Sequence, residues 1–521
     1  MSKITHAEVR MYRMGTGDCF AIKFFSGTDT EPKFKMMIDA GCWSGTKERL
    51  SPYILNLKNY LGDHADVLIV THEHKDHVHA FDVCEELFTD GNFHVGEIWM
   101  GWTENDKRGK VKEWKDDYGE KKKALGLASE KLKEAMATPE FKNQFSGNKD
   151  SEKAIGAREV FRGVLNGFAD LHLSFDDEKK VYKGGLAGMD VVKKKITNKG
   201  IKYFKPGDII SDLGEAEGVK IYVLGPPQLY EDVKKEAGGE GESYDHNKQL
   251  RESGAFGAAV LNLDNNGTLN SNLCPFDEHY MEESVKDILP VPTEDKLKAQ
   301  EDLAAIKTEY NNSDWRKIDF DWLYSAGSFA LRMNGLTNNL SLAIAIEVDD
   351  GAKGKVMLFP GDAEFGSWAS WHKIKWNNVD NNTEERLENG EKKNFTKDLL
   401  NRTVFYKVAH HLSHNGTAQR LGLEMMNHKD LTAMATLDYN VINDGWTTTM
   451  PNRAIIQELL NRTKGRLMIM NEDKLFFDFH DKIPMSEKVE EARLNMTNRE
   501  RSNFLDNLEV TDEFIQYRIK F

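Results

Sequence analysis

A chain of 521 residues, 39% hydrophobic and 30% charged, with 27 Phe, 15 Tyr and 10 Trp, has ample material for a core, which excludes a fully disordered polymer. No stretch approaches the roughly 18 continuous apolar residues of a membrane span, and a formal charge of −15 counts against a broad, sequence-independent grip on nucleic acid. The opening MSKITHAEVRMYRMG lacks the apolar run and small-residue cleavage site of a secretory leader. The protein is therefore expected to be soluble and cytoplasmic, with no membrane partner. Cys19, Cys42, Cys84 and Cys274 are scattered without a CxxC pair, so they read as reduced, buried thiols rather than a disulfide framework or a thiolate zinc site.

In chain order, strands are predicted at 36–39, 67–71, 221–224 and 356–359, each rich in β-branched or aromatic residues and closed by Gly, Pro or Asp. A second set is predicted at 342–348, 404–409 and 467–470, the last running on to Phe476 and Phe477. Amphipathic stretches at 77–87 and 453–460 alternate with them, which argues for an α/β architecture with covered sheets. Two polar segments interrupt the pattern. Residues 103–200 carry helical stretches at 121–137 and 152–168, and residues 238–325 begin with the Gly-rich AGGEGESYD turn. The first segment holds 22 Lys and Arg against 17 Asp and Glu, a local excess of five positive charges, which leaves −20 for the rest. A solvated helical surface explains that excess better than a nucleic-acid-binding arm does.

Directly after the strand at 67–70 comes Thr71-His72-Glu73-His74-Lys75-Asp76-His77. A turn there can point His72 and His74 to one side and Asp76 and His77 to the other. Imidazole nitrogen and carboxylate oxygen are the ligands that zinc, manganese or iron accept without thiolate, so two adjacent ions suit this run. The strand at 356–359 ends in Pro360-Gly361-Asp362-Ala363-Glu364, where a carboxylate beside glycine can bridge two ions; that role is given to Asp362 and not to Glu364. The strand at 404–409 ends in His410-His411-Leu412-Ser413-His414-Asn415-Gly416, again histidines at a strand terminus. His428, in an amphipathic stretch, reads as structural.

The HxHxDH run, the later GDAE and the HHxSHNG run, in that order and each after a strand, resemble the metallo-β-lactamase superfamily of αββα metallohydrolases. The resemblance is nearest to the hydrolase domain of competence DNA-uptake proteins of the ComEC type and their soluble relatives. Met14-Gly15-Thr16-Gly17-Asp18 looks like their VGQGD segment, and Met37-Ile38-Asp39-Ala40-Gly41 like their strand ending in DxG. It covers residues 1–102, 201–230 and 326–480. The expected fold is an αββα sandwich with two long polar, largely helical insertions: a hydrolase core at 1–102, 201–237 and 326–480, insertions at 103–200 and 238–325, and a C-terminal extension at 481–521. The resemblance implies His72 and His74 as ligands of a first metal, Asp76, His77 and His410 as ligands of a second, Asp362 as the bridge, and Asp39 as a support behind the ligands. The third first-site histidine is missing: the corresponding turn reads Leu336-Thr337-Asn338-Asn339-Leu340-Ser341, so an Asn carbonyl or an insertion histidine such as His246 completes the site, or the first ion is weakly held.

These residues predict a hydrolase using two divalent ions, Zn or Mn, with a metal-bound hydroxide held by Asp76 as nucleophile and His411 or His414 protonating the leaving oxygen. A phosphodiesterase or nuclease acting on DNA or RNA is expected. The rival is a small-molecule hydrolase of a lactone, lactam or thioester, and an inactive scaffold is the third reading. The polar insertions could dock protein partners of a multi-component system.

Overall fold

The computed structural model describes residues 3–105, 185–235, 238–239, 241–244, 335–349, 353–376, 394–439, 450–478 and 481–521, with a few isolated positions between them. The helices expected at 121–137 and 152–168, most of the 238–325 segment, His246 and Cys274 lie outside the described residues.

Two sheets form the centre. The first contains β1 (Ile4–Tyr12), β2 (Phe20–Ser26), β3 (Phe34–Ile38), β4 (His64–Val70), β5 (His94–Gly101) and β6 (Ile201–Phe204). The second contains β7 (Ile209–Ile210), β8 (Val219–Val223), β9 (Ile344–Val348), β10 (Lys355–Phe359), β11 (Thr403–Lys407), β12 (Thr432–Ala435) and β13 (Leu467–Ile469). β14 (Leu508–Val510) and β15 (Phe514–Lys520) return to the first sheet, whose spatial order is β14-β15-β1-β2-β3-β4-β5-β6; the second runs β13-β12-β11-β10-β9-β8-β7. β3 to β6 are mutually parallel, as are β10 to β13.

Side chains on a strand alternate between faces, and here both faces are covered, which is why the strands read as unbroken apolar runs. In β4, Val67 and Ile69 enter the core between the sheets while Leu68 and Val70 meet helices. In β10, Met357 and Phe359 face the other sheet, and Val356 and Leu358 face Trp368 and Trp371 of the helix Phe365–Trp371. The outer layers are completed by α1 (Lys47–Leu61), α2 (Lys75–Val83) and α3 (Gly185–Lys194) on the first sheet and by Arg453–Thr463 on the second. The result is a four-layer α/β/β/α arrangement.

Three expectations need correction. Residues 481–521 are no appendage: β15 pairs with β1 from His6↔Lys520 to Tyr12↔Phe514. The end of the 103–200 segment belongs to the packed structure, because α3 lies on α2 so closely that a Cβ at Gly188 would meet Val78 O at 2.2 Å. The strand at 467–469 does not continue to Phe476 and Phe477; a turn intervenes, and Phe476–Asp478 pairs with Ile483–Pro484 in a separate hairpin. Among the described residues no helix is long and apolar enough to cross a membrane.

Candidate metal centre

The C-terminal ends of parallel strands β3, β4, β10, β11 and β12 gather at one end of the sandwich, and the site is assembled from the loops that leave them. After β4 the chain runs from Thr71 to His74 before α2 begins at Lys75, so Asp76 and His77 sit in the first helical turn, where a carboxylate meets the positive end of the helix dipole. This loop is clamped by glycine. A Cβ at Gly41 would lie 2.2 Å from the Asp76 carbonyl, and at Gly17, whose φ is +143°, 2.5 Å from the same oxygen. The GTGD and DAG segments are thus the bed of the HxHxDH loop, joined to it by Asp18 N–H donating to Asp76 O at 2.9 Å.

The structure brings together Asp76, His77, Asp362 and His411, whose donor atoms all lie within 4.8 Å of one another. His77 Nε2 is 3.1 Å from Asp362 Oδ2, and His411 Nε2 is 3.1 Å from both Asp76 Oδ2 and Asp362 Oδ2. It is His411 rather than His410 that faces Asp76 and Asp362. The cause is local: His410, His411 and Leu412 all have left-handed φ of 45°, 47° and 65°, and three such non-glycine residues in succession turn the chain sharply at a cost of ~1–2 kcal/mol each. His410 is turned aside. Its Nε2 lies 3.3 Å from Asn338 Nδ2 and its Nδ1 3.2 Å from Asn415 Oδ1, while its backbone N–H donates to Asp362 Oδ1.

His72 Nε2 and His74 Nδ1 approach to 3.0 Å, with the His72 ring centroid 4.1 Å from that of His77, so two ring nitrogens converge beside the first group too. Thr71 Oγ1 donates to Asp39 Oδ2 at 2.6 Å, which leaves its lone pairs for the Nδ1 groups of His72 and His77 at 3.1 and 3.2 Å. Asp39, itself at φ 54°, also accepts from Thr71 N–H and lies 2.8 Å from His77 Nδ1. His411 Nδ1 faces the Thr436 carbonyl at 3.0 Å, and a carbonyl can only accept. Both His77 and His411 are therefore held with Nδ1–H outward and Nε2 aimed at the carboxylates, the orientation in which a carboxylate or carbonyl fixes a ligating imidazole. Behind them, Asp18 Oδ1 accepts from Thr436 Oγ1 at 2.7 Å.

Lys407, fully buried at the end of β11, joins these parts. Its Nζ lies 2.5 Å from Asp18 Oδ2 and 3.2 Å from Asp362 Oδ1, and donates to Gly361 O at 3.0 Å. One Asp362 oxygen is thus committed to Lys407, and the other is presented to His77 and His411. Burial opposes the Lys407 charge, but Asp18 and Asp362 outweigh it and hold the pKa above its ordinary value. The same balance operates at His77, raised well above 6.5, and at His411, raised to about 9: desolvation acts against each, and the surrounding carboxylates more than offset it, Asp362 with Asp18 and Asp39 at His77 and Asp362 with Asp76 at His411. Burial dominates elsewhere, lowering His72 far below 6.5, His74 to about 3 and His410 to about 4, so these three rings are neutral.

Asp76 Oδ1 and Asn338 Oδ1 are among the buried oxygens that find no hydrogen-bond partner among the described residues. An unpaired buried carboxylate oxygen is costly, and with a donor set of imidazole and carboxylate it fits a divalent ion. Asn338 extends from the turn where the third histidine is missing; its Nδ2 donates to Glu364 Oε1 at 2.8 Å. Glu364, set aside on sequence, is completely buried beside it. His414 is half-buried at the rim, next to Ser413.

Sequence reasoning overlooked Lys407, Thr436 and the Asn338–Glu364 pair. Lys407 had a readable signal: a lysine inside an apolar strand covered on both faces must find carboxylates. The basic character of α3 has the opposite outcome. Lys193 pairs with Glu104, Lys194 with Asp190 and Lys195 with Glu85, so those charges are met locally.

A family model for the metallo-beta-lactamase superfamily matches residues 24–162. That span contains the His72–His77 run, while Asp362 and His411 lie beyond it. No curated protein and no solved structure matched the chain. The family match and the clustered His and Asp groups together support a metal-dependent hydrolase.

Proposed function

We propose that the protein is a metal-dependent phosphodiesterase, with a nucleic acid as the expected substrate. The observation that carries the hydrolase reading is the convergence of Asp76, His77, Asp362 and His411 around an unpartnered buried oxygen. These four would hold the tighter of two ions. His72 and His74, with Asn338 Oδ1 as an oxygen donor in place of the missing histidine, would hold a weaker one. Bound ions would supply Lewis acidity and a water of lowered pKa.

The chain's own residues do the positioning. Asp39 and Thr436 fix the tautomers of His77 and His411, and Lys407 fixes the rotation of the Asp362 carboxylate. Asp76, whose Oδ2 lies 3.1 Å from His411 Nε2, would hold and orient the attacking water. His414 at the rim is the candidate to protonate the leaving oxygen. What supports a phosphoryl substrate is the polar rim: His414 and Asn415, both half-buried, offer N–H groups of the kind that hold non-bridging phosphate oxygens.

The pairing of Lys193, Lys194 and Lys195 with acids favours a second reading, a small-molecule hydrolase of a lactone, lactam or thioester, because it removes the basic track a polynucleotide would use. The test is metal analysis followed by incubation with labelled linear and circular DNA, RNA, bis-p-nitrophenyl phosphate and a lactone panel. Chelator-sensitive cleavage of the phosphodiesters alone supports the proposal. Turnover of the lactones alone replaces it with the second reading.

A further inference from the structure

The starts of parallel strands β10 to β13 lie at the end of the sandwich opposite the metal centre, and a second chemistry is collected there. Lys355 opens β10, Lys429 stands three residues before the start of β12, Arg466 immediately precedes β13, and Arg518 and Lys520 come from β15. All five border one cleft of about 280 Å³. Its acids are Asp430 and Glu500, so the cleft carries an excess of three positive charges in a chain of net −15.

The acids are already engaged. Glu500 accepts from Lys464 Nζ at 2.8 Å through one oxygen and from Thr497 N–H and Oγ1 through the other. Asp430 stands 3.8 Å from Lys429. Arg518 is tied to Glu8 at 2.7 Å. That leaves Lys355, Arg466 and Lys520 with no carboxylate within 4 Å among the described residues. Lys355 Nζ reaches only the Lys520 carbonyl, at 2.9 Å. Arg466 is the telling member: only 5% exposed, its guanidinium is oriented by the Leu431 and Lys429 carbonyls. Burial lowers its pKa by more than the nearby Tyr517, Asp430 and Glu500 raise it. A buried guanidinium is retained at such a cost when a counter-charge arrives from outside.

We propose that this cleft binds the phosphate of a small phosphomonoester of about mononucleotide size, at a site separate from the metal centre. Its volume lies at the small end of ligand pockets, which excludes a duplex. Tyr517 and the amides of Asn503 and Asn507 line the same space, offering an aromatic ring and paired donors and acceptors next to the cations. Arg466 would take the phosphate, since a planar fork matches its oxygens, with Lys355 and Lys520 adding charge.

The proposal is independent of the hydrolase reading, and its test keeps the two apart. Inorganic phosphate, AMP and adenosine are titrated calorimetrically into the full-length protein, into an Asp76→Asn variant, and into a Lys355→Met/Lys520→Met double variant. Both substituted lysines lie at the surface rather than in the core, so the fold survives; an Arg466→Met variant is added with its melting temperature recorded. AMP and phosphate should bind with one site per chain and adenosine should not. Added salt should weaken binding. The double-lysine change should weaken it about tenfold or more, and Asp76→Asn should leave it unchanged. Adenosine binding as tightly as AMP would overturn the proposal, as would no binding of phosphate or AMP at millimolar concentration. Loss in Asp76→Asn with retention in the double-lysine variant would overturn it too, by placing the phosphate at the metal centre.

Discussion

Raising the pH from 7 to 9 should strengthen the first metal-binding event steeply, because in the metal-free protein the ligand nitrogens of His77 and His411 carry protons that the ion must displace. His411 titrates at about 9, so at pH 7 its deprotonation alone opposes binding by about 2.7 kcal/mol, roughly a hundredfold in affinity. His77, raised well above 6.5, contributes a second proton. The logarithm of the association constant should therefore climb with a slope approaching two per pH unit from pH 7 and less steeply once His411 has titrated near 9. Calorimetry in buffers of different ionisation enthalpy counts the protons directly, and about two should be released at pH 7. The stability of the metal-free protein must move the other way. His411 has a folded pKa above its unfolded value near 6.5, so its contribution, about 3 kcal/mol, is complete below pH 6.5 and is lost as the pH rises through 9. Asp76, depressed to about 2 despite burial, contributes above its ordinary 3.8 and loses that contribution only in strong acid. A flat affinity between pH 7 and 9, with no proton release, would refute the assignment of His77 and His411 as the first ligands.

Replacing Asp76 by Asn should reduce turnover by about a hundredfold or more while leaving a cooperative melt, since the loop is clamped by Gly17 and Gly41 rather than by this carboxylate; full activity of the variant would remove Asp76 from the chemistry. Lys407→Met should destabilise the fold by about 3–5 kcal/mol in urea melts, because Asp18 and Asp362 stay buried without their cation; a loss below ~1 kcal/mol would mean that the network carries little stability. Added manganese should stimulate the purified protein more than added zinc, given an oxygen donor at the weaker site. Activity already saturated by two tightly bound zinc ions would contradict that.

The HxHxDH loop was legible because two independent patterns coincide at it: a strand whose both faces are apolar, and four ligand-type side chains placed where that strand must end. Asp362 was legible for the same reason, at the end of β10. The choice between His410 and His411 was not, since adjacent residues of the same type are separated only by the left-handed turn at 410–412, which no periodicity announces. β1 and β15 do alternate, with Val9 and Met11 buried beside the polar Glu8 and Arg10, yet their pairing joins residues about 500 apart in sequence. A local pattern identifies such a strand without identifying its partner. Lys407 was passed over within its strand, although a covered strand position demands acids for its charge, here the buried Asp18 and Asp362.

Charge balance separates the two proposed ions more sharply than ligand counting does. Asp18, Asp39, Asp76 and Asp362 are all buried around one permanent cation, Lys407. In the metal-free protein the protons on His77 and His411 supply two further positive charges, and exchanging them for one divalent ion leaves the buried charge unchanged. The site of Asp76, His77, Asp362 and His411 can therefore be filled or emptied without leaving new charge uncompensated. The second pair has nothing to exchange: His72 stays neutral down to well below pH 6.5 and His74 down to about pH 3, so an ion there adds its full charge. It should bind more weakly, with no proton release and almost no pH dependence between 6 and 9. Titration of metal-free protein should resolve one proton-coupled event and one proton-silent event. His77→Ala should abolish the first and His72→Ala the second. Proton release that accompanies both events, or a His72→Ala change that removes the tighter one, would show that the ions are distributed over these ligands in some other way.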